Sequence, residues 1–127
     1  MYKAGNNLWH TDSSFKYRLP PVPQMLVRTI PENGRKSLCV ASHAGRILGL
    51  PEAARRALID ELIAHATQRQ FVHIHRWRPN DLVMWDNRCT MHRGTAYDDP
   101  RWVRDMQRAT VSDIANTCEQ AGIAVPA

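Results

Sequence analysis

Apolar and polar residues alternate along several short stretches of the chain, which is the pattern of half-buried strands. Residues 25–30 (MLVRTI) and 37–43 (SLCVASH) flank an Asn-Gly step that is typical of a tight turn, so the region 25–43 predicts a β-hairpin. A proline-rich turn is predicted over 17–24. Further strands are predicted over 7–10, 71–77 (FVHIHRW), 81–86 (DLVMWD), the end of 89–94 (CTMHRG) and 105–113.

One stretch has a helical period instead. Residues 50–68 begin with Pro51, which suits a first helical position, and they carry a repeating apolar stripe. We predict a packing helix with no role in chemistry, followed at the C-terminus by a short helical tail. Many short strands with one strong helix indicate a mainly β fold, as a sandwich or a barrel. The apolar stripe of the helix comprises Ala54, Leu58, Leu62 and Ala66, with Ile59 and Ile63 beside it.

The composition predicts one globular domain over residues 1–127. Hydrophobic residues make up 43% of the 127 residues and charged residues 23%. No apolar run approaches the roughly 18 residues of a membrane span, and the N-terminal residues do not resemble a signal peptide. The odd number of cysteines and the lack of a CxxC pair predict free thiols in a reducing compartment, hence a cytoplasmic protein. The cysteines are Cys39, Cys89 and Cys118.

The net charge of +5 and the pI near 9.6 raise the alternative of a basic nucleic-acid-binding domain. The arginines are scattered, however, and no ladder of aromatic residues alternates with them as single-strand binding requires. We therefore favour a small anionic ligand, with neither nucleic acid nor a membrane as partner.

The stretch LWHTDSSF places His10 and Asp12 on one face of a strand, because side chains two positions apart point the same way. An imidazole and a carboxylate on one face make half of a metal site. His92 has the best context for a third ligand, since it follows a bend at Asp86–Asn87 that would deliver it to the mouth of a barrel. Two histidines with one carboxylate form the facial triad that suits Fe(II). The other candidates for the third ligand are His43, His73 and His75.

Two arginines on the last predicted strand indicate anionic ligands. Arg104 and Arg108 would share a strand face with Met106. Because a buried arginine is costly without an anion to pair with, two inward arginines predict two carboxylate-like ligands. A planar guanidinium binds a carboxylate with two parallel hydrogen bonds, as a chelating keto acid would need for its far carboxylate.

Five segments together resemble the taurine dioxygenase and 2,4-dichlorophenoxyacetate dioxygenase family, and are closer to its chlorophenoxyacetate branch. The resemblance implies an Fe(II)- and 2-oxoglutarate-dependent enzyme on a double-stranded β-helix, or jelly roll. The segments are LWHTDSSF, GRKSLCVASHAGRILGLP, DELIAHATQ, DLVMWDNRCTMHRG and RDMQRATVSD.

By the same resemblance, His10, Asp12 and His92 would be the iron ligands. Arg104 would hold the distal carboxylate of 2-oxoglutarate, and Arg108 would meet the anionic group of the substrate. Trp9 and Trp85 would pack beside the metal centre. The expected reaction consumes O₂ and hydroxylates a small anionic substrate, such as an aryloxyacetate, which would collapse to a phenol and glyoxylate, or an alkanesulfonate.

The chain departs from the family pattern after the His-x-Asp motif. In the family, further strands and a lid-bearing segment follow that motif, whereas here residues 15–16 run almost directly into 17–20 (YRLP). The family's N-terminal portion is also missing. We therefore expect an incomplete jelly roll, and the alternative function is a catalytically inactive or truncated remnant of the same fold. A homo-oligomer is a further expectation.

Overall fold

The computed structural model describes residues 7–12, 24–42, 44–98, 100–111 and 115–124. The proline-rich turn predicted over 17–24 lies outside the described residues, except for Gln24. The elements in chain order are strand β1 (Val27–Thr29), strand β2 (Lys36–Leu38), helix α1 (Glu52–Ala66), a 3₁₀ turn (Arg69–Phe71) and helix α2 (Thr117–Gln120).

Strands β1 and β2 form the predicted hairpin. They pair antiparallel, with Arg28 opposite Ser37 at the centre of the register. The turn closes through hydrogen bonds from the backbone N–H groups of Asn33 and Gly34 to the Ile30 carbonyl, at 3.3 and 2.9 Å. Gly34 has a φ of +69°, a conformation that side-chain-bearing residues seldom adopt and that explains why a glycine is needed there. The hairpin prediction is confirmed, with shorter strands than expected.

The segment that carries His10 lies between two partners. His10 forms single antiparallel bridges with Ala41, just after β2, and with His92. The predicted strand over 7–10 is thus reduced to pairing at one residue. Its neighbour Thr11 is buried on the opposite side, where its backbone N–H donates to the Val40 carbonyl at 3.2 Å. The segment is therefore fixed from both flanks, although it is too short to be a strand.

Helix α1 lies within the predicted range of 50–68, with Pro51 as its N-cap. The buried face is rotated from the predicted stripe, because Ile59 and Arg55 are buried while Ala54 is exposed. Arg55 donates to the Ala44 carbonyl at 2.7 Å and lies 3.2 Å from a Glu52 carboxylate oxygen. A charged residue takes an inward position because these oxygens satisfy its guanidinium.

The strands predicted over 71–77, 81–86 and 105–113 are wrong for the residues that the structure describes. The backbone of 72–86 and of 102–111 pairs with no strand there, and residues 112–113 lie outside the description. The physical reason is that alternation alone makes no strand, which also needs a hydrogen-bonded neighbour. Large apolar side chains are consequently almost fully exposed in both segments, at 93–95% for Leu82, Met84, Val103 and Val111.

Helix α2 confirms the predicted helical tail and ties it to the hairpin. The Asn116 side chain caps the helix by accepting from the backbone N–H groups of Cys118 and Glu119. The Thr117 hydroxyl accepts a hydrogen bond of 2.6 Å from the backbone N–H of Met25. The buried apolar residues of the described chain are Ile30, Val40, Ile59 and Cys118. None of the helices in the described part of the chain is both long enough and apolar enough to cross a membrane.

Candidate metal centre

Three side chains that are distant in sequence converge at one point. The Nε2 atom of His10 lies 3.8 Å from Oδ1 of Asp12, and Nε2 of His92 lies 3.7 Å from the other oxygen, Oδ2. One ligand atom from each residue falls within 4.8 Å of the other two. The arrangement brings together the three residues expected as metal ligands.

The backbone explains why His10 and His92 meet. Each donates its N–H to the carbonyl of the other, at 3.1 and 2.8 Å, so the two residues are fixed opposite each other. Their imidazole centroids are 4.5 Å apart. Because Thr11 turns inward against Val40, Asp12 emerges on the same side as His10, as the alternation predicts.

The ring of His10 has a defined orientation. Its Nδ1–H donates to the Leu8 carbonyl at 2.7 Å, because that oxygen can only accept. With Nδ1 engaged by Leu8, Nε2 is the ring nitrogen that faces Asp12. Metal-binding histidines commonly have such a carbonyl partner, which the sequence alone did not reveal.

The bend that delivers His92 is held by the hairpin. The backbone N–H of Thr90 donates to the Asp86 carbonyl at 3.1 Å and closes the bend. From β1, the largely buried Arg28 donates through Nε to the Arg88 carbonyl at 2.8 Å and through Nη2 to the Asn87 carbonyl at 2.7 Å. Sequence reasoning missed Arg28, since a polar residue on an alternating strand looks like an ordinary exposed position.

Burial determines the charge state of His92. Desolvation lowers the pKa of His92, and the positive charge of Arg108 acts in the same direction, while the carboxylate of Asp12 opposes them. The neutral imidazole, which is the form that binds a metal, is therefore favoured. The ring of Trp85 lies 5.1 Å from that of His92, and the Nδ1 of His92 is buried with no hydrogen-bond partner among the described residues.

The two predicted arginines lie in different environments. Nη1 of Arg108 is 3.1 Å from Oδ2 of Asp12, which puts this guanidinium at the edge of the centre. Arg104 instead lies over the ring of Tyr97, at 5.6 Å from its centroid, with its Nε 2.9 Å from the Met106 sulfur. The unpaired backbone of 102–111 explains why the shared strand face predicted for the two arginines does not form.

The other candidate ligands lie elsewhere. His73 is exposed, and His75 pairs with Asp81 at 3.0 Å within an exposed turn. His43 lies outside the described residues. A groove of about 450 Å³ beside the 3₁₀ turn includes none of the five expected site residues. Trp9, Thr67, Arg69, Val72, Ile74 and Arg93 line it.

The donor atoms fit a divalent metal ion. Two neighbouring ligands at roughly 2.1 Å from a metal lie about 3 Å from each other, so the ligand atoms, which lie within 4.8 Å of one another, need to close by at most about 2 Å. Two imidazoles and one carboxylate on one side of the ion leave the remaining positions open, and this donor set is typical of non-haem Fe(II). The lowered pKa of His92 supports the same conclusion, because its ring needs no deprotonation before binding.

Residues 16–110 match the family model described as taurine catabolism dioxygenase TauD, TfdA family. This range includes His92, Arg104 and Arg108 and begins after Asp12. The chain is 51% identical over 110 residues to the alpha-ketoglutarate-dependent 2,4-dichlorophenoxyacetate dioxygenase of Cupriavidus pinatubonensis, which covers 85% of this chain and 38% of that protein. It is 46% identical over 79 residues to the (S)-phenoxypropionate/alpha-ketoglutarate-dioxygenase of Sphingobium herbicidovorans, covering 61% of this chain and 28% of that protein.

Among solved structures, the chain resembles that of AAD-2 in complex with Mn(II) and N-oxalylglycine. The TM-score is 0.72 at 51% identity, over 77% of this chain and 38% of that one. The chain thus shares its fold with part of a dioxygenase of the jelly-roll class. It spans less than two fifths of the length of each of these relatives.

Proposed function

Since the chain belongs to the taurine catabolism dioxygenase TauD, TfdA family, we propose that it acts as an Fe(II)- and 2-oxoglutarate-dependent dioxygenase on a small anionic substrate. The observation that carries this proposal is the convergence of His10, Asp12 and His92 within 4.8 Å. The two relatives named for 2,4-dichlorophenoxyacetate and phenoxypropionate favour an aryloxyalkanoate over an alkanesulfonate. Hydroxylation of an aryloxyacetate beside its ether oxygen would release a phenol and glyoxylate.

His10, Asp12 and His92 would hold the metal from one side. Fe(II) bound together with 2-oxoglutarate supplies the activation of O₂ that oxidises a C–H bond. The chain contributes the geometry, because the backbone pairing of His10 with His92 places the two residues opposite each other before any ligand arrives. The Leu8 carbonyl keeps His10 in the tautomer whose Nε2 faces Asp12.

The arginines would orient the two organic anions. We assign Arg104 to the distal carboxylate of 2-oxoglutarate. Its Nε faces Met106, and the N–H groups of Nη1 and Nη2 can donate to a carboxylate. We assign Arg108 to the anionic group of the substrate, which its position beside Asp12 supports. Trp85 packs near His92 and would help to exclude water from the ligand side of the centre.

The test is anaerobic addition of Fe(II) and 2-oxoglutarate to the chain, followed by O₂. We expect a visible metal-to-ligand absorption band before O₂ is added, and succinate afterwards with a panel of aryloxyalkanoates and alkanesulfonates. Asp12→Ala should abolish the band, whereas Asp81→Ala, which removes a carboxylate paired with the exposed His75, should leave it. A band that persists in Asp12→Ala would exclude Asp12 as a ligand.

A second candidate function is metal binding without turnover. The observation that favours it is the position of Arg104, whose guanidinium contacts Tyr97 and Met106. Large apolar side chains of the same segment, such as Val103, are exposed to solvent instead of lining a site. The two functions differ in one result: this candidate predicts that the absorption band forms while no substrate in the panel yields succinate.

A further inference from the structure

The closest ion pair of the candidate centre joins Arg108 to Asp12. Nη1 of Arg108 is 3.1 Å from Oδ2 of Asp12, and Nε2 of His92 is 3.7 Å from the same oxygen. The Asp12 side chain is only 12% exposed, whereas that of Arg108 is 50% exposed. The carboxylate is therefore held in place while the guanidinium has room to move.

We propose that Arg108 competes with the divalent metal for Asp12 and thereby couples metal binding to binding of the anionic substrate. This inference rests on the proposed function, in which Asp12 is a metal ligand and Arg108 meets the anion. A guanidinium and a dication bound to the same oxygen would share one carboxylate charge, and two cations so close together repel each other. Arginine cannot relieve the repulsion by losing its proton, so Arg108 must turn away.

The direction in which Arg108 turns determines the coupling. Metal binding removes its partner at Asp12 and leaves a half-exposed guanidinium available for an external carboxylate. Conversely, an anion that binds Arg108 weakens the ion pair between Arg108 and Asp12, which makes the Asp12 carboxylate a better metal ligand. The two effects must be equal in size, because coupling between two bound ligands is reciprocal.

A merely orienting role for Arg108 predicts the opposite sign. If the guanidinium only held Asp12 in position, its removal would loosen the ligand and weaken metal binding, as happens with outer-shell partners of metal ligands. Other contacts already fix the frame, since His10 is held by Leu8 and by the backbone of His92. Removal of Arg108 should therefore tighten metal binding.

The experiment is a calorimetric titration of the full chain with Mn(II), with and without saturating phenoxyacetate. We expect Arg108→Gln to bind Mn(II) about tenfold more tightly than the unaltered chain, a moderate factor because half of the side chain is solvated. Phenoxyacetate should tighten Mn(II) binding to the unaltered chain several-fold and leave Arg108→Gln unchanged. Arg101→Gln is the matched control, because it removes the same charge from an arginine that lies over Trp102, and its affinity should stay within about twofold.

A conservative variant and a separate negative result distinguish the possible outcomes. Arg108→Lys retains the charge and should remain within a few-fold of the unaltered chain, which guards against a misfolded glutamine variant. Equal or weaker Mn(II) binding by Arg108→Gln would overturn the coupling, as would an absent effect of phenoxyacetate. A chain that binds no Mn(II) at all would instead refute the metal centre of the proposed function, so the two failures are distinguishable.

Discussion

Two parts of the chain share an alternating pattern of apolar and polar residues, but they differ in what their backbones pair with. In the paired part, comprising 7–12, the hairpin and the bend up to His92, backbone hydrogen bonds join residues far apart in sequence. In the unpaired part, comprising 72–86 and 102–111, the described backbone joins no strand. Each part also has a histidine–aspartate pair, His10 with Asp12 and His75 with Asp81. Among the described residues, only the paired part adds a third ligand, because a site assembled from distant segments requires pairing between them.

The largest expected effect separates the two aspartates. Asp12→Ala should lower the affinity for Mn(II) at least about a thousandfold, which corresponds to about 4 kcal/mol, because it removes the single carboxylate of the triad. Asp81→Ala should change that affinity by less than about twofold, since none of the residues that the structure describes adds a third ligand beside His75. Calorimetry with both variants measures the contrast. Comparable losses in the two would mean that the exposed turn binds metal as well.

The second prediction compares a buried with an exposed apolar side chain. Ile59→Ala should reduce the free energy of unfolding by about 3 kcal/mol, because Ile59 on α1 is only 1% exposed and its loss leaves a cavity. Leu82→Ala should cost less than about 0.5 kcal/mol, since Leu82 is 95% exposed.

Urea unfolding followed by circular dichroism measures both values. A large cost for Leu82→Ala would break the comparison. It would mean that another surface buries the unpaired part in solution. Sedimentation at several protein concentrations would then show whether that surface belongs to a second copy of the chain.

The contrast between the two parts also explains what the sequence could predict. The hairpin follows from a local signal, the Asn33–Gly34 turn, and α1 follows from its period. The shared direction of His10 and Asp12 follows from alternation, since it depends only on neighbouring residues. The strand predicted over 81–86 failed because the same alternation says nothing about a partner for its backbone.

Two buried arginines, one on α1 and one in the paired part, mark the limit of pattern reasoning. Arg55 takes an inward position on α1 because the Ala44 carbonyl and Glu52 are within reach. Arg28 bonds to a carbonyl 60 positions further along the chain. Glu52 lies one helical turn before Arg55, but neither accepting carbonyl has a signature near its arginine. Only the three-dimensional arrangement therefore reveals that a charged side chain replaces an apolar one.

The third prediction tests whether Arg28 holds the bend that carries His92. Arg28→Ala should reduce the free energy of unfolding by about 2 kcal/mol, because it removes two charge-assisted hydrogen bonds to the carbonyls of Asn87 and Arg88. It should also weaken Mn(II) binding about tenfold, because the bend would no longer hold the His92 side chain in place. Arg35→Ala in the exposed turn of the same hairpin is the control, and each value should stay near that of the unaltered chain. Weakened stability with unchanged Mn(II) affinity would show that the bend does not position His92.

The smallest effect concerns the ion pairs between the hairpin turn and the bend. Nη1 of Arg88 contacts Glu32 at 2.6 Å, and Nη2 contacts Asp86 at 2.9 Å. The hydrogen bonds from Arg88 lower the pKa of both carboxyl groups. A lowered pKa in the folded state means that the stabilisation is present above the unfolded-state value, 3.8 for Asp86, and is lost as the pH falls through the lower folded value.

Arg88→Met should therefore flatten the decline in stability as the pH falls below about 4. The difference should be small, because these side chains are largely solvated. Urea unfolding at several pH values gives the slope of the free energy of unfolding against pH for the variant and for the unaltered chain. Both proteins retain the buried Arg28 and the shielded His92, so the contributions of these residues cancel. Parallel slopes would mean that the ion pairs of Arg88 link the turn to the bend without stabilising either. The hydrogen bonds of Arg28 and Ser37 to the backbone of the bend would then join it to the hairpin.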